Sequence, residues 1–153
     1  MASRVANQAP LGNGPPTGGD TDGFKGLRVL YVEDHPDMQR AVDRLLKVAG
    51  ASVAIARDGL EATVMALSET FDLVLMDLRM PHMDGFEAAR ALIAADCRAA
   101  LVAVTADASP AVRANAHVAG FAAVLQKPFD LCDITDAMRL ARELQSVQTP
   151  PTL

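Results

Sequence analysis

The segment from Phe71 to Gly85 constrains the fold more than any other stretch of the 153-residue chain. Leu73-Val74-Leu75-Met76 is apolar without alternation, the pattern of a strand covered on both faces, as in a parallel sheet. The run stops on Asp77, and Met80-Pro81 and Asp84-Gly85 then break the pattern. A carboxylate at the carboxyl end of a central strand stands where open α/β sheets hold their ligands, which makes Asp77 the first candidate for chemistry.

The flanking sequence supplies the partners of that strand. Leu27 to Val32 reads as a first strand closed by Glu33-Asp34. From Pro36, in the first turn of a helix, Met38, Ala41, Val42, Leu45, Leu46 and Ala49 recur at helical spacing until Gly50 stops them. Ser52 to Ala56 is a second strand, and Asp58-Gly59 leads into a helix with Leu60, Val64 and Leu67 on one face. Asp84-Gly85 opens a third helix, Phe86 to about Ala95, expected to turn Ala88, Ala89, Leu92 and Ile93 inward. Leu101 to Val104 is a fourth strand ending on Thr105. Ser109 caps the next helix, with Pro110 at its first position and Gly120 at its end. Ala122 to Gln126 is the fifth strand and ends on Lys127-Pro128. Asp130 caps a last helix whose buried face is Leu131, Ile134, Met138 and Ala141. Strands alternating with helices predict an α/β, flavodoxin-like doubly wound parallel sheet of order 2-1-3-4-5, with helices on both faces.

Residues 1–26 are rich in Gly, Pro, Asn and Thr and read as a disordered tail or linker, residues 27–146 as the single domain, and 147–153 as a flexible end. Fourteen basic against nineteen acidic residues give a net charge of −5, all of it on the body after residue 26, which argues against a nucleic-acid surface. No apolar run is long enough for a membrane span and no export signal opens the chain, so a cytoplasmic protein is expected. Cys97 and Cys132 lack the paired spacing of a zinc site and read as ordinary thiols. His35, His82 and His117 share no helical face and read as surface residues.

With this topology Glu33 and Asp34 leave the first strand beside Asp77 leaving the third. Thr105 and Lys127 leave the fourth and fifth on the same edge. Three close carboxylates repel one another unless a cation neutralises them, and Mg²⁺, which takes hard oxygen ligands, is the simplest remedy. Carboxylate, divalent cation, hydroxyl and ammonium together suit phosphoryl transfer, where the protein positions groups and neutralises charge. Asp77 would be the nucleophile, while Lys127 and Thr105 would meet the phosphoryl oxygens.

From about Leu27 to Leu144 the chain resembles the receiver domain of bacterial two-component response regulators. The resemblance rests on Val32-Glu33-Asp34, Leu75 to Gly85, Val104-Thr105-Ala106 and Lys127-Pro128-Phe129, in that order. It implies that Asp77 accepts a phosphoryl group from a phosphohistidine on a histidine kinase or histidine phosphotransfer protein, and that the domain itself catalyses this transfer and the later hydrolysis. It also implies that Asp34, Asp77 and the main-chain carbonyl of Arg79 bind Mg²⁺, with Glu33 acting largely through water. The Lys127-Pro128 bond is expected to be cis. A downstream protein target completes the implied pathway, and weak homodimerisation through the fourth helix, fifth strand and fifth helix is compatible with it. Arg79 and Asp107 occupy positions that in the family influence how fast the phosphoryl group is lost.

One position departs from the pattern. Three residues before the lysine the family usually carries an aromatic, and here that residue is Val124, with Phe121 three residues earlier. A phosphorylation-independent interaction module is therefore the alternative function. An aspartyl-phosphate phosphatase of the haloacid-dehalogenase kind would need a second Asp at the position held by Arg79, and a flavodoxin-like nucleotide site would be repelled by Glu33-Asp34. Too few residues follow the last helix for an attached output module, so a stand-alone receiver and the carboxyl-terminal receiver of a hybrid sensor kinase both remain open.

Overall fold

In a computed structural model of the chain, residues 24–148 are described. Five strands form one parallel sheet: β1 (Arg28–Val32), β2 (Ser52–Ala56), β3 (Leu73–Asp77), β4 (Ala100–Thr105) and β5 (Ala123–Gln126). Their order is β2-β1-β3-β4-β5, the expected one. β3 and β4 are buried along their whole length, which is why their sequences do not alternate.

The connecting helices are α1 (Pro36–Val48), α2 (Gly59–Ser68), α3 (Gly85–Ala94), α4 (Pro110–Ala119) and α5 (Leu131–Gln148). One face of the sheet packs Tyr31, Leu73, Leu75 and Val102 against Val42 and Leu46 of α1 and Ile134, Met138 and Ala141 of α5. The other packs Val32, Val74, Met76 and Ala103 against Ala62 of α2, Ala88 and Leu92 of α3, and Ala116 of α4. The side chains of Asp58, Asp84 and Ser109 accept from the backbone N–H three residues on, satisfying donors that the first helical turn leaves orphaned. Asp130 and Asp133 do this reciprocally at α5, each carboxylate accepting from the other's backbone N–H at 3.0 and 2.9 Å.

Several expectations about faces are corrected. Leu60, Val64 and Leu67 do share a face of α2, but it is the solvent face, and Ile93 of α3 is also exposed. Ala41 of α1 is exposed as well. For α2 the reason is local: it lies so close to α3 that a Cβ on Gly59 would sit 2.9 Å from the Met83 carbonyl oxygen and 3.0 Å from the Ala88 Cβ. Only small residues fit between the two helices, so Gly59 and Ala62 face inward and the larger apolar residues face out.

Phe24, before the expected boundary at 27, is buried in the core beside Leu27, and α5 runs to Gln148. The rest of the expected tail and the expected flexible end, residues 1–23 and 149–153, lie outside the described residues. Cys97 and Cys132 are half-buried and form no disulfide. All three histidines are exposed.

Candidate functional site

The carboxyl edge of the sheet is set by backbone bonds. Glu33 N donates to the Ala56 carbonyl, Leu78 N to Val104 and Lys127 N to Thr105, so the residues just past β1, β3 and β5 are tied to their neighbouring strands. The edge thereby gathers residues that are distant in sequence.

Glu33, Asp34 and Asp77 each bring a carboxylate oxygen to within 4.8 Å of the other two. Glu33 is 1% exposed and Asp77 6%, whereas Asp34 is open to solvent. Lys127 lies between the two buried acids, with Nζ 3.0 Å from Glu33 Oε1 and 3.2 Å from Asp77 Oδ2. Burial opposes the charge on that ammonium, but hydrogen bonds and charge from Glu33 and Asp77 outweigh it and raise the Lys127 pKa above the ordinary lysine value. The Lys127-Pro128 bond is cis, as the resemblance implied.

Arg79 is exposed, and its backbone N–H donates to Asp77 Oδ1 at 3.1 Å. Both Asp77 oxygens therefore face donors. Gly85 closes in from behind: a Cβ there would lie 2.6 Å from the Asp77 carbonyl oxygen, so this position demands glycine for close approach. Thr105 is buried at the same edge, but its hydroxyl is turned to the following loop, donating to the Asp107 carbonyl at 3.2 Å and accepting from the Asp107 N–H at 3.1 Å. Among the described contacts, then, Glu33, Asp34, Asp77 and Lys127 form one cluster, while Thr105 stands beside it with its hydroxyl otherwise engaged.

The donor set fits a hard divalent cation: three carboxylates at one point, partly offset by one ammonium, leave net negative charge and oxygen ligands only.

Sequence reasoning missed Tyr31. Its side chain is fully buried in the α1/α5 face of the core, and its hydroxyl donates to Glu33 Oε1 at 3.0 Å. The signal was present, since residues two apart in a strand share a face, and Tyr31 is the lone hydroxyl-bearing residue of β1, set between Leu30 and Val32.

Comparison with known proteins matches residues 29–139 to the response regulator receiver domain. The chain belongs to that family. A gliding motility regulatory protein of Myxococcus xanthus is 40% identical over 105 residues, 67% of this chain and 14% of that protein. Across this and two further curated relatives the receiver chain spans 14 to 50% of the partner's length. Among solved structures, the receiver domain of the Pseudomonas aeruginosa sensor histidine kinase PA1611, with a magnesium ion coordinated in its active-site cleft, is 32% identical with a TM-score of 0.71, covering 78% of this chain and 98% of its own. The receiver domain of the Saccharomyces cerevisiae response regulator Ssk1, crystallised with the histidine phosphotransfer protein Ypd1, is 25% identical with a TM-score of 0.75, covering 80% and 92%.

In this receiver Val124 is buried in β5, paired with Ala103 of β4. Phe121 lies before β5, 3% exposed, and meets the Phe86 ring edge-on at 6.4 Å between centroids. It is a core residue, in the same apolar cluster as Val124.

Proposed function

We propose that this receiver is a phosphoacceptor switch in which Asp77 accepts a phosphoryl group from a phosphohistidine on a histidine kinase or histidine phosphotransfer protein. The observation that carries the reading is the convergence of Glu33, Asp34 and Asp77 within 4.8 Å, with Lys127 Nζ at 3.0 and 3.2 Å from two of them. An Asp77 carboxylate oxygen attacks phosphorus, a P–O bond forms as the P–N bond to the donor imidazole breaks, and the imidazole leaves with a proton from solvent. Lys127 turns from Glu33 to a phosphoryl oxygen. The Thr105 hydroxyl leaves the Asp107 carbonyl and bonds another. Asp34, Asp77 and the Arg79 main-chain carbonyl would hold Mg²⁺, with Glu33 behind them, and the ion would supply charge neutralisation at the phosphoryl oxygens. The same groups would serve hydrolysis of the acyl phosphate, with water as the nucleophile. Phosphotransfer from a kinase partner to a downstream protein target would take place in the cytoplasm.

The test is the intact mass after incubation with a small acyl phosphate, with and without Mg²⁺, beside Asp77→Asn. A Mg²⁺-dependent gain of one phosphoryl group, absent in the variant, is the expected result. No gain from either the acyl phosphate or a phosphorylated histidine donor would overturn the reading. It would favour the phosphorylation-independent module instead, the reading that Val124 supports by leaving no aromatic side chain at that position to move with Thr105.

A further inference from the structure

Glu33 is an unusual residue to find at 1% exposure, because burying a carboxylate is unfavourable unless donors surround it. Its Oε1 has two donors, Lys127 Nζ and Tyr31 Oη, each at 3.0 Å. Among the described contacts, its Oε2 takes only a long 3.4 Å one from the His35 N–H. The two donors on Oε1 differ in kind. Lys127 is a long, partly exposed side chain that also bonds Asp77, and it must swing if it is to meet an incoming anion. Tyr31 cannot swing: it is 0% exposed, its ring is packed among the apolar residues between the sheet and helices α1 and α5, and it reaches Glu33 from inside the core.

We propose that the Tyr31 hydroxyl is a positioning group for the cation site, anchoring Glu33 Oε1 from beneath so that the carboxylate keeps its place when Lys127 leaves it. The proposal rests on the phosphoacceptor reading and extends it by one residue. Without that anchor, Oε1 would depend on Lys127 alone, and the carboxylate would be free to follow the ammonium or to rotate away from Asp34 and Asp77. Outer-shell groups around a metal site typically matter about 10–100-fold in metal affinity, and an anchor on Glu33, which stands behind the direct ligands, belongs at the low end of that range.

Tyr31→Phe keeps the ring and removes one oxygen. Calorimetric titration with MgCl₂ is expected to show binding roughly tenfold weaker in Tyr31→Phe than in the unmodified protein. Val29→Ala, which trims a buried side chain of the same strand and face, is expected to keep the unmodified affinity. This separates positioning from general loosening of the core. A second measurement needs no variant: the chain has one tyrosine and no tryptophan, so its near-ultraviolet tyrosine band reports Tyr31 alone. Mg²⁺ drawing on Glu33 weakens the acceptor that the phenol faces, and a saturable blue shift should track the calorimetric curve. If the unmodified protein binds no Mg²⁺, the phosphoacceptor reading itself fails. If it binds Mg²⁺ while Tyr31→Phe binds equally well, or while the Tyr31 band stays unchanged at saturation, the site reading stands and the role of Tyr31 is overturned.

Discussion

Lys127 is the residue on which the resting cluster depends, because it alone bridges the two buried acids in the described contacts. Removing one partner from a buried ion pair costs about 3–5 kcal/mol, through the charge left behind. Lys127 keeps 22% exposure, so for Lys127→Met a loss of about 3 kcal/mol in Mg²⁺-free buffer is expected from urea unfolding at neutral pH. The pH dependence follows from the raised pKa. The folded state holds this proton more tightly than the unfolded chain, whose lysine titrates at 10.5, so the contribution is fully present below that pH and is lost as pH rises through the folded value. Unfolding midpoints measured from pH 8 upward should therefore fall more steeply above pH 10.5 in the unmodified protein than in Lys127→Met. At this scale the sequence was informative wherever a polar residue ended an apolar run: Glu33, Asp34, Asp77 and Lys127 are legible in that way. The direction of the Thr105 hydroxyl was not, because a rotamer choice between the loop and the cleft is decided by the Asp107 backbone, which no spacing encodes.

Helix α2 shows what periodicity does not reveal about an element. Its apolar residues occupy both sides, so the pattern offers two candidate faces, and the choice falls to the neighbour that packs closest. Close approach to α3 selects Gly59 and Ala62 and leaves Leu60, Val64 and Leu67 between 57 and 61% exposed. Substitutions on the two faces should separate cleanly. Leu67→Gln is expected to change unfolding free energy by no more than about 0.5 kcal/mol. Ala62→Leu, which forces three further carbons into a fully buried site, is expected to cost about 1–3 kcal/mol. Gly85→Ala carries the same logic into the site: its Cβ would meet the Asp77 carbonyl oxygen and lie 2.8 Å from the Leu78 Cα, both backbone atoms with no rotamer to yield. A loss of about 1–3 kcal/mol, together with weaker Mg²⁺ binding, is the expected outcome for that variant. The caps at Asp58, Asp84, Ser109 and Asp130 were legible because each supplies a local need, three residues from the donor it satisfies.

Across the whole molecule, strand order is legible because alternating strands and helices with right-handed crossovers leave few ways to wind a five-stranded sheet. The same topology concentrates like charge at one edge, since β1 and β3 are neighbours and both lead into acids. Unless a cation shares the cluster, that arrangement opposes folding, and the conflict gives a prediction about the entire fold. A ligand that binds only the native state stabilises it by RT ln(1 + [L]/Kd), about 2.7 kcal/mol at a hundredfold excess over Kd. The thermal unfolding temperature of the unmodified protein should therefore rise with Mg²⁺ concentration toward that gain. Asp34→Asn should behave in the opposite sense: it relieves repulsion in the cluster, so in EDTA it should unfold at a higher temperature than the unmodified protein, yet gain little from Mg²⁺. Plotted against Mg²⁺ concentration, the two unfolding temperatures should cross. Parallel responses would mean that the three carboxylates do not share a cation, leaving Lys127 alone to offset the repulsion among them.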